Sequence, residues 1–156
     1  MKKIVVIVLL LAYSLVAGQK GFVADKSEHD MICGLKPYQY PKWTTEIELS
    51  NARKLHFVSV KCMMLFYFKN DQWADLGVKG KEDIKDLRVQ DYNTLDVVDA
   101  KEAFYVFGSR RISPKGDDLV PFATEQGAKE FIEKDGGKRI MRFNDFKLNL
   151  MDFLNL

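Results

Sequence analysis

The sequence predicts an α+β fold: two related ββαβ units packed as one small body, closed by a short C-terminal helix. Three observations carry this. The residues from Trp43 to Leu49 alternate, with Trp43, Thr45, Ile47 and Leu49 on one side, as in a half-buried strand. The period then changes, with Val60, Met63, Met64 and Tyr67 at the i, i+3, i+4, i+7 spacing of one helix face. The same order of patterns recurs in the second half of the chain.

In order, "WTTEIEL" places Trp43, Thr45, Ile47 and Leu49 on one side of a first strand. "SNAR" supplies a turn, "LHFVSV" a second strand and "KCMMLFYFKND" a helix. A charged, glycine-containing loop over Gly77 to Asp86 leads to the strand "LRVQDY", which ends a unit of about 43–92. "LDVVDA" and "EAFYVFGS" read as the next two strands, and "RRISPKGDD" as a turn-rich loop. In "TEQGAKEFIEKDGG", Thr124 suits an N-cap, Gly136 and Gly137 a stop, and Ala128, Phe131 and Ile132 an apolar face. "KRIMRF" closes a second unit of about 95–143. The tail "NDFKLNLMDFLNL" suits a short amphipathic helix capped by Asn144 or Asp145.

The chain has 156 residues and begins "MKKIVVIVLLLAYSLVAG". Lys2 and Lys3, the apolar run and the small residues Ala17 and Gly18 predict a signal peptide over 1–18, leaving a single domain over 19–156. The run is short for a membrane span, which needs about 20 apolar residues. Left uncleaved, it would act as an N-terminal membrane anchor. No cysteine follows it directly, so no lipid anchor is expected there. Cleavage removes two lysines and no acid, so the 24 basic and 22 acidic residues become equal in number. A neutral mature chain does not suit nucleic acid, whose binding needs a concentrated basic surface.

An enzyme is not expected. The chain has two histidines, His29 and His56, and no phosphate loop, HExxH or GxSxG motif. His29 near Cys33, or His56 near Cys62, is closeness in sequence only, whereas Cys–His catalysis is defined by geometry. Asp117 and Asp118 read as solvated loop charge.

Sulfur is concentrated in two places, Met31-Ile32-Cys33 and Cys62-Met63-Met64. Thiolates and thioethers are soft ligands that favour Cu(I) over Mg²⁺ or Ca²⁺. Structural zinc takes Cys or His, not Met. A loop and a helix start converging on one ion would make a copper site from Cys33, Met63, Met31 and Met64. Cys62 lies off the Val60–Met63–Met64 face, which counts against it as a ligand sharing that face. The alternative is a metal-free exported interaction module stapled by a Cys33–Cys62 disulfide, worth roughly 3.5 kcal/mol on chain-entropy grounds. Met63 and Met64 also suit core filling. The residues alone leave both readings open.

Four segments in order resemble the NosL family, accessory proteins of nitrous-oxide reductase: "MICGLKPYQYPKW", "FVSVKCMMLFYF", "VVDAKEAFYVFGS" and "LVPFATEQGAKEFIEKDGGKRIMRFNDF". The resemblance implies two ββαβ units. It also implies a periplasmic Cu(I)-binding chaperone that delivers copper to apo-nitrous-oxide reductase or a related copper enzyme, with its membrane assembly machinery. Cys33 matches the family's Cys-Gly cysteine, Met63 matches its helix methionine, Met64 extends it, and Met31 precedes Cys33 by two. Leu35 and Lys115 stand where the family often has methionine, which points to a divergent relative.

Overall fold

The computed structural model describes residues 20–155. The predicted signal segment lies outside them. Among the described residues, no helix is long and apolar enough to cross a membrane.

The first unit holds β1 (Thr45–Leu49), β2 (Lys54–Phe57), α1 (Val60–Phe68), β3 (Ile84–Gln90) and β4 (Val97–Asp99). Its antiparallel sheet runs β2-β1-β3-β4. The second unit holds β5 (Phe104–Phe107), β6 (Leu119–Phe122), α2 (Glu125–Asp135) and β7 (Arg139–Met141), with sheet order β6-β5-β7. The chain ends in α3 (Leu148–Leu154).

The α+β class and the two-unit plan hold, but two strands differ from expectation. "LDVVDA" supplies β4, which pairs with β3 in the first sheet. The second unit's outer strand is instead β6, whose Pro121 disguises it in the sequence because proline cannot donate to a ladder. It is tolerated there because β6 is an edge strand. The terminal helix also starts later than expected: Phe143–Asp145 forms a separate turn, and Lys147 occupies the N-cap of α3.

Central strand β1 is buried throughout. Its alternation sends Ile47 and Leu49 into the main apolar core. Glu46 and Glu48 take part in a charged network with Lys54, His56, Arg88 and Lys85. Helix α1 is buried continuously from Val60 to Phe66 and packs on β1, β2, β6 and α3. It therefore has no solvent face in its first turns. Helix α2 keeps the expected amphipathic character, burying Ala128 and Phe131 against the second sheet. The units share a packing device: Phe57 meets Phe66 at 5.3 Å between ring centroids, and Phe122 meets Phe131 at 5.0 Å.

Candidate metal centre

The loop Asp30–Leu35 is organised by Asp30, a carboxylate 1% exposed. Its Oδ1 accepts the backbone N–H of Ile32 at 2.7 Å and of Cys33 at 3.3 Å. Its Oδ2 accepts the N–H of Val58 at 2.8 Å, fastening the loop to the end of β2. The Asp30 N–H donates to the Leu35 carbonyl and the Gly34 N–H to the Asp30 carbonyl, both at 2.8 Å. The ring closes through Gly34 at φ +73°, in the left-handed region that glycine enters without steric cost.

Ser59 is the N-cap of α1, and its Oγ accepts the N–H of Cys62 at 3.3 Å. Cys62 thus occupies the third helical position, facing the loop. Its Sγ, the Sγ of Cys33 and a carboxylate oxygen of Asp30 lie within 4.8 Å of one another. Both cysteines are free thiols, Cys33 half-buried and Cys62 buried.

The two thiols are electrostatically unequal. Donation from the Cys62 thiol lowers the Cys33 pKa, the largest influence on it. The same bond, then burial and the nearby Asp30 charge, pushes the Cys62 thiol far up. Burial raises the Asp30 carboxyl against the lowering effect of its three backbone N–H donors. Of the two, the outer sulfur, Cys33, is therefore the readier to give up its proton, and Cys62 the one that holds it. A half-buried sulfur backed by a buried one is a soft-ligand pair that can be reached from one side.

Of the sequence candidates, Cys33 lies in this cluster. Met31 sits at the loop's exposed edge, 41% accessible. Met63 and Met64 are wholly buried in the apolar core to which Cys62 also belongs. Cys62 joins the cluster although its offset from the predicted helix face argued against it. With α1 buried on all sides, that face does not decide ligation. Asp30 escaped the sequence reading; its signal is an aspartate three residues before Cys33, the spacing of a side chain bonding its own loop. His29 is exposed, whereas His56 is held between Glu28 and Glu46 on the first sheet. Asp118 is buried and accepts the N–H of Lys61, contrary to the expected solvated charge.

The fold and the paired thiols define a small α+β protein with a soft-ligand site at one helix N-terminus. The NosL family model matches residues 22–151, and the chain belongs to that family. A crystal structure of the copper chaperone NosL from Shewanella denitrificans shares the fold at TM-score 0.66 and 20% identity, over 85% of this chain and 98% of that one. No curated protein matches the sequence significantly.

Proposed function

We propose that the protein is a copper carrier, not an enzyme, which binds Cu(I) at Cys33 and Cys62 and passes it to a copper-accepting protein. The observation that carries this reading is the pair of free sulfurs within 4.8 Å of each other. With metal–sulfur bonds of about 2.3 Å, one ion fits between two sulfurs about 4.6 Å apart. Membership of the NosL family supports copper as the cargo. The structurally similar protein from Shewanella denitrificans is a copper chaperone, which agrees with it.

Transfer proceeds by ligand exchange. Binding displaces the protons of both thiols, the Cys33 proton more readily than the Cys62 one, so the loaded site carries two thiolates around one monovalent ion. A recipient sulfur approaches from the half-buried Cys33 side, and the ion passes through a shared-ligand state before Cys33 lets go. Met31, exposed in the same loop, is placed to offer a transient thioether at that mouth. The recipient is apo-nitrous-oxide reductase or a related copper enzyme, met with its membrane assembly machinery in the periplasm after export on the N-terminal signal.

An anaerobic Cu(I) titration against a competing chelator tests the carrier. The expected result is one tightly held ion per chain, lost in Cys33→Ser. Absence of binding, or binding indifferent to Cys33→Ser, sinks it. Counting free thiols in the denatured, unreduced protein tests the rival disulfide module: two free thiols per chain exclude the staple.

A further inference from the structure

The loop that carries Cys33 occurs twice in this molecule. At Asp91 the same bonds recur in the same register. Asp91 Oδ1 accepts the N–H of Asn93 at 2.8 Å and of Thr94 at 2.9 Å, the positions two and three residues on. Asp91 Oδ2 accepts the N–H of Ala123 at 2.9 Å, just before the Thr124 N-cap of α2, as Asp30 accepts that of Val58 just before Ser59. The Asp91 N–H donates to the Asp96 carbonyl, and the Leu95 N–H to the Asp91 carbonyl. Leu95 even takes the left-handed conformation of Gly34, at φ +62°. Thr124 Oγ1 accepts the N–H of Gly127 at 3.1 Å, as Ser59 accepts that of Cys62.

Cys33 therefore corresponds to Thr94, and Cys62 to Gly127. A Cβ added at Gly127 would lie 4.0 Å from Asp91 Oδ2 and 3.2 Å from Thr124 Oγ1, so a side chain there would face the twin carboxylate. The second cradle keeps every scaffold bond and lacks both sulfurs.

We infer that Asp30 is a positioning residue rather than a ligand, and that the two cysteine sulfurs alone hold the ion on a duplicated cradle. This deepens the copper-carrier reading and rests on it. Asp91 makes the same three backbone bonds where no thiol exists, so those bonds belong to the loop architecture and not to metal binding. Asp30 already accepts three backbone N–H bonds on its two oxygens, which fixes its carboxylate to the loop and to the end of β2 with or without an ion. Two-coordinate dithiolate binding suits a soft monovalent ion and leaves a divalent ion such as Zn²⁺, which favours four ligands, under-coordinated.

Copper K-edge X-ray absorption on the Cu(I)-loaded wild-type protein should show two sulfur neighbours and no oxygen. Asp30→Asn should keep that two-sulfur signature while weakening affinity about tenfold, as outer-shell partners typically do. Asp30→Asn and Asp91→Asn should both lower the unfolding midpoint, and Asp91→Asn should leave copper affinity unchanged. The constructive test is Thr94→Cys with Gly127→Cys in the full chain. That variant should bind two Cu(I), and one when combined with Cys33→Ser and Cys62→Ser. An oxygen neighbour that vanishes in Asp30→Asn overturns the inference even with wild-type binding intact. A folded four-cysteine variant that still binds one ion also overturns it. Wild-type protein that binds no copper instead fails the carrier reading itself.

Discussion

The Lys61 ammonium donates to the Leu154 carbonyl at 2.7 Å, joining the first turn of α1 to the end of the chain. The same nitrogen donates to the carbonyls of Lys115 at 2.7 Å and Asp117 at 3.0 Å. The Lys61 backbone N–H donates to Asp118 Oδ1 at 2.8 Å, next to Cys62 in the chain. A lysine with no exposed surface thus gathers the helix start, the loop before β6 and α3 around one charge. Lys61→Met removes the donor from the buried Leu154 carbonyl and from two carbonyls on exposed loop residues, and an orphaned buried acceptor costs about 1–3 kcal/mol. Destabilisation of about 1–3 kcal/mol is expected, read as a fall in the urea midpoint at unchanged m-value. A midpoint within experimental error of wild type would remove Lys61 from the fold's supports.

His56 is a second buried charge, and its effect depends on pH. Its Nδ1 lies 2.8 Å from Glu28 Oε2 and its Nε2 3.2 Å from Glu46 Oε2. Burial alone would lower its pKa, but the two carboxylates raise it from 6.5 to about 9. Because the folded value is the higher one, the stabilisation is complete below about 6.5 and disappears as pH rises through about 9. It amounts to about 3 kcal/mol at most. His56→Gln should therefore be less stable than wild type at pH 6, and the gap should close by pH 10. A gap constant across that range would show that the imidazole is not charged in the native state. An NMR titration of the ring checks the value directly.

Much of this was legible from residue order, and the failures have physical reasons. Periodicity located α1 and α2 because helices with long apolar spacing leave a strong pattern. It misjudged Cys62 because α1 is buried all round, so no single face marks what its side chains touch. β6 escaped because Pro121 contradicts strand propensity, and only its edge position makes it admissible. Cys33 stood out as sulfur in a loop. Asp30 did not, because an acid in "SEHDM" looks like any solvated charge until its three N–H partners are known. The duplicated loop shares only its aspartate and a left-handed residue, too little identity to show in the sequence.

Met63 and Met64 separate the sequence-derived ligand set from the thiol pair. Both have no exposed surface and belong to the main core, where methionine fills irregular space. Met63→Leu and Met64→Leu conserve volume closely and should each cost less than about 1.5 kcal/mol of stability. Neither should change Cu(I) affinity. Cys62→Ser should remove tight binding while the chain stays folded. A large loss of affinity in Met63→Leu would restore the thioether as a ligand. In Met31→Leu the equilibrium affinity should hold and the rate of copper transfer to a chelator should fall, since its thioether lies at the exposed edge of the loop.

Gly34 follows the cysteine in the loop at φ +73°, and the twin position holds Leu95 at φ +62°. The second unit therefore already tolerates a full side chain in that conformation, at a steric cost of roughly 1–2 kcal/mol for an L-residue. Nothing lies within 4 Å of a Cβ added at Gly34, so alanine there meets backbone strain and no collision. Gly34→Ala should accordingly lose about 1 kcal/mol of stability while keeping Cu(I) affinity within a few-fold of wild type. The reverse change, Leu95→Gly, relieves the same strain but frees the unfolded chain, and so should shift stability little. Thermal unfolding of both variants, beside a Cu(I) titration of Gly34→Ala, checks the pair. If Gly34→Ala abolishes binding without unfolding the protein, the glycine serves the metal directly, and the equivalence of the two loops fails at that position.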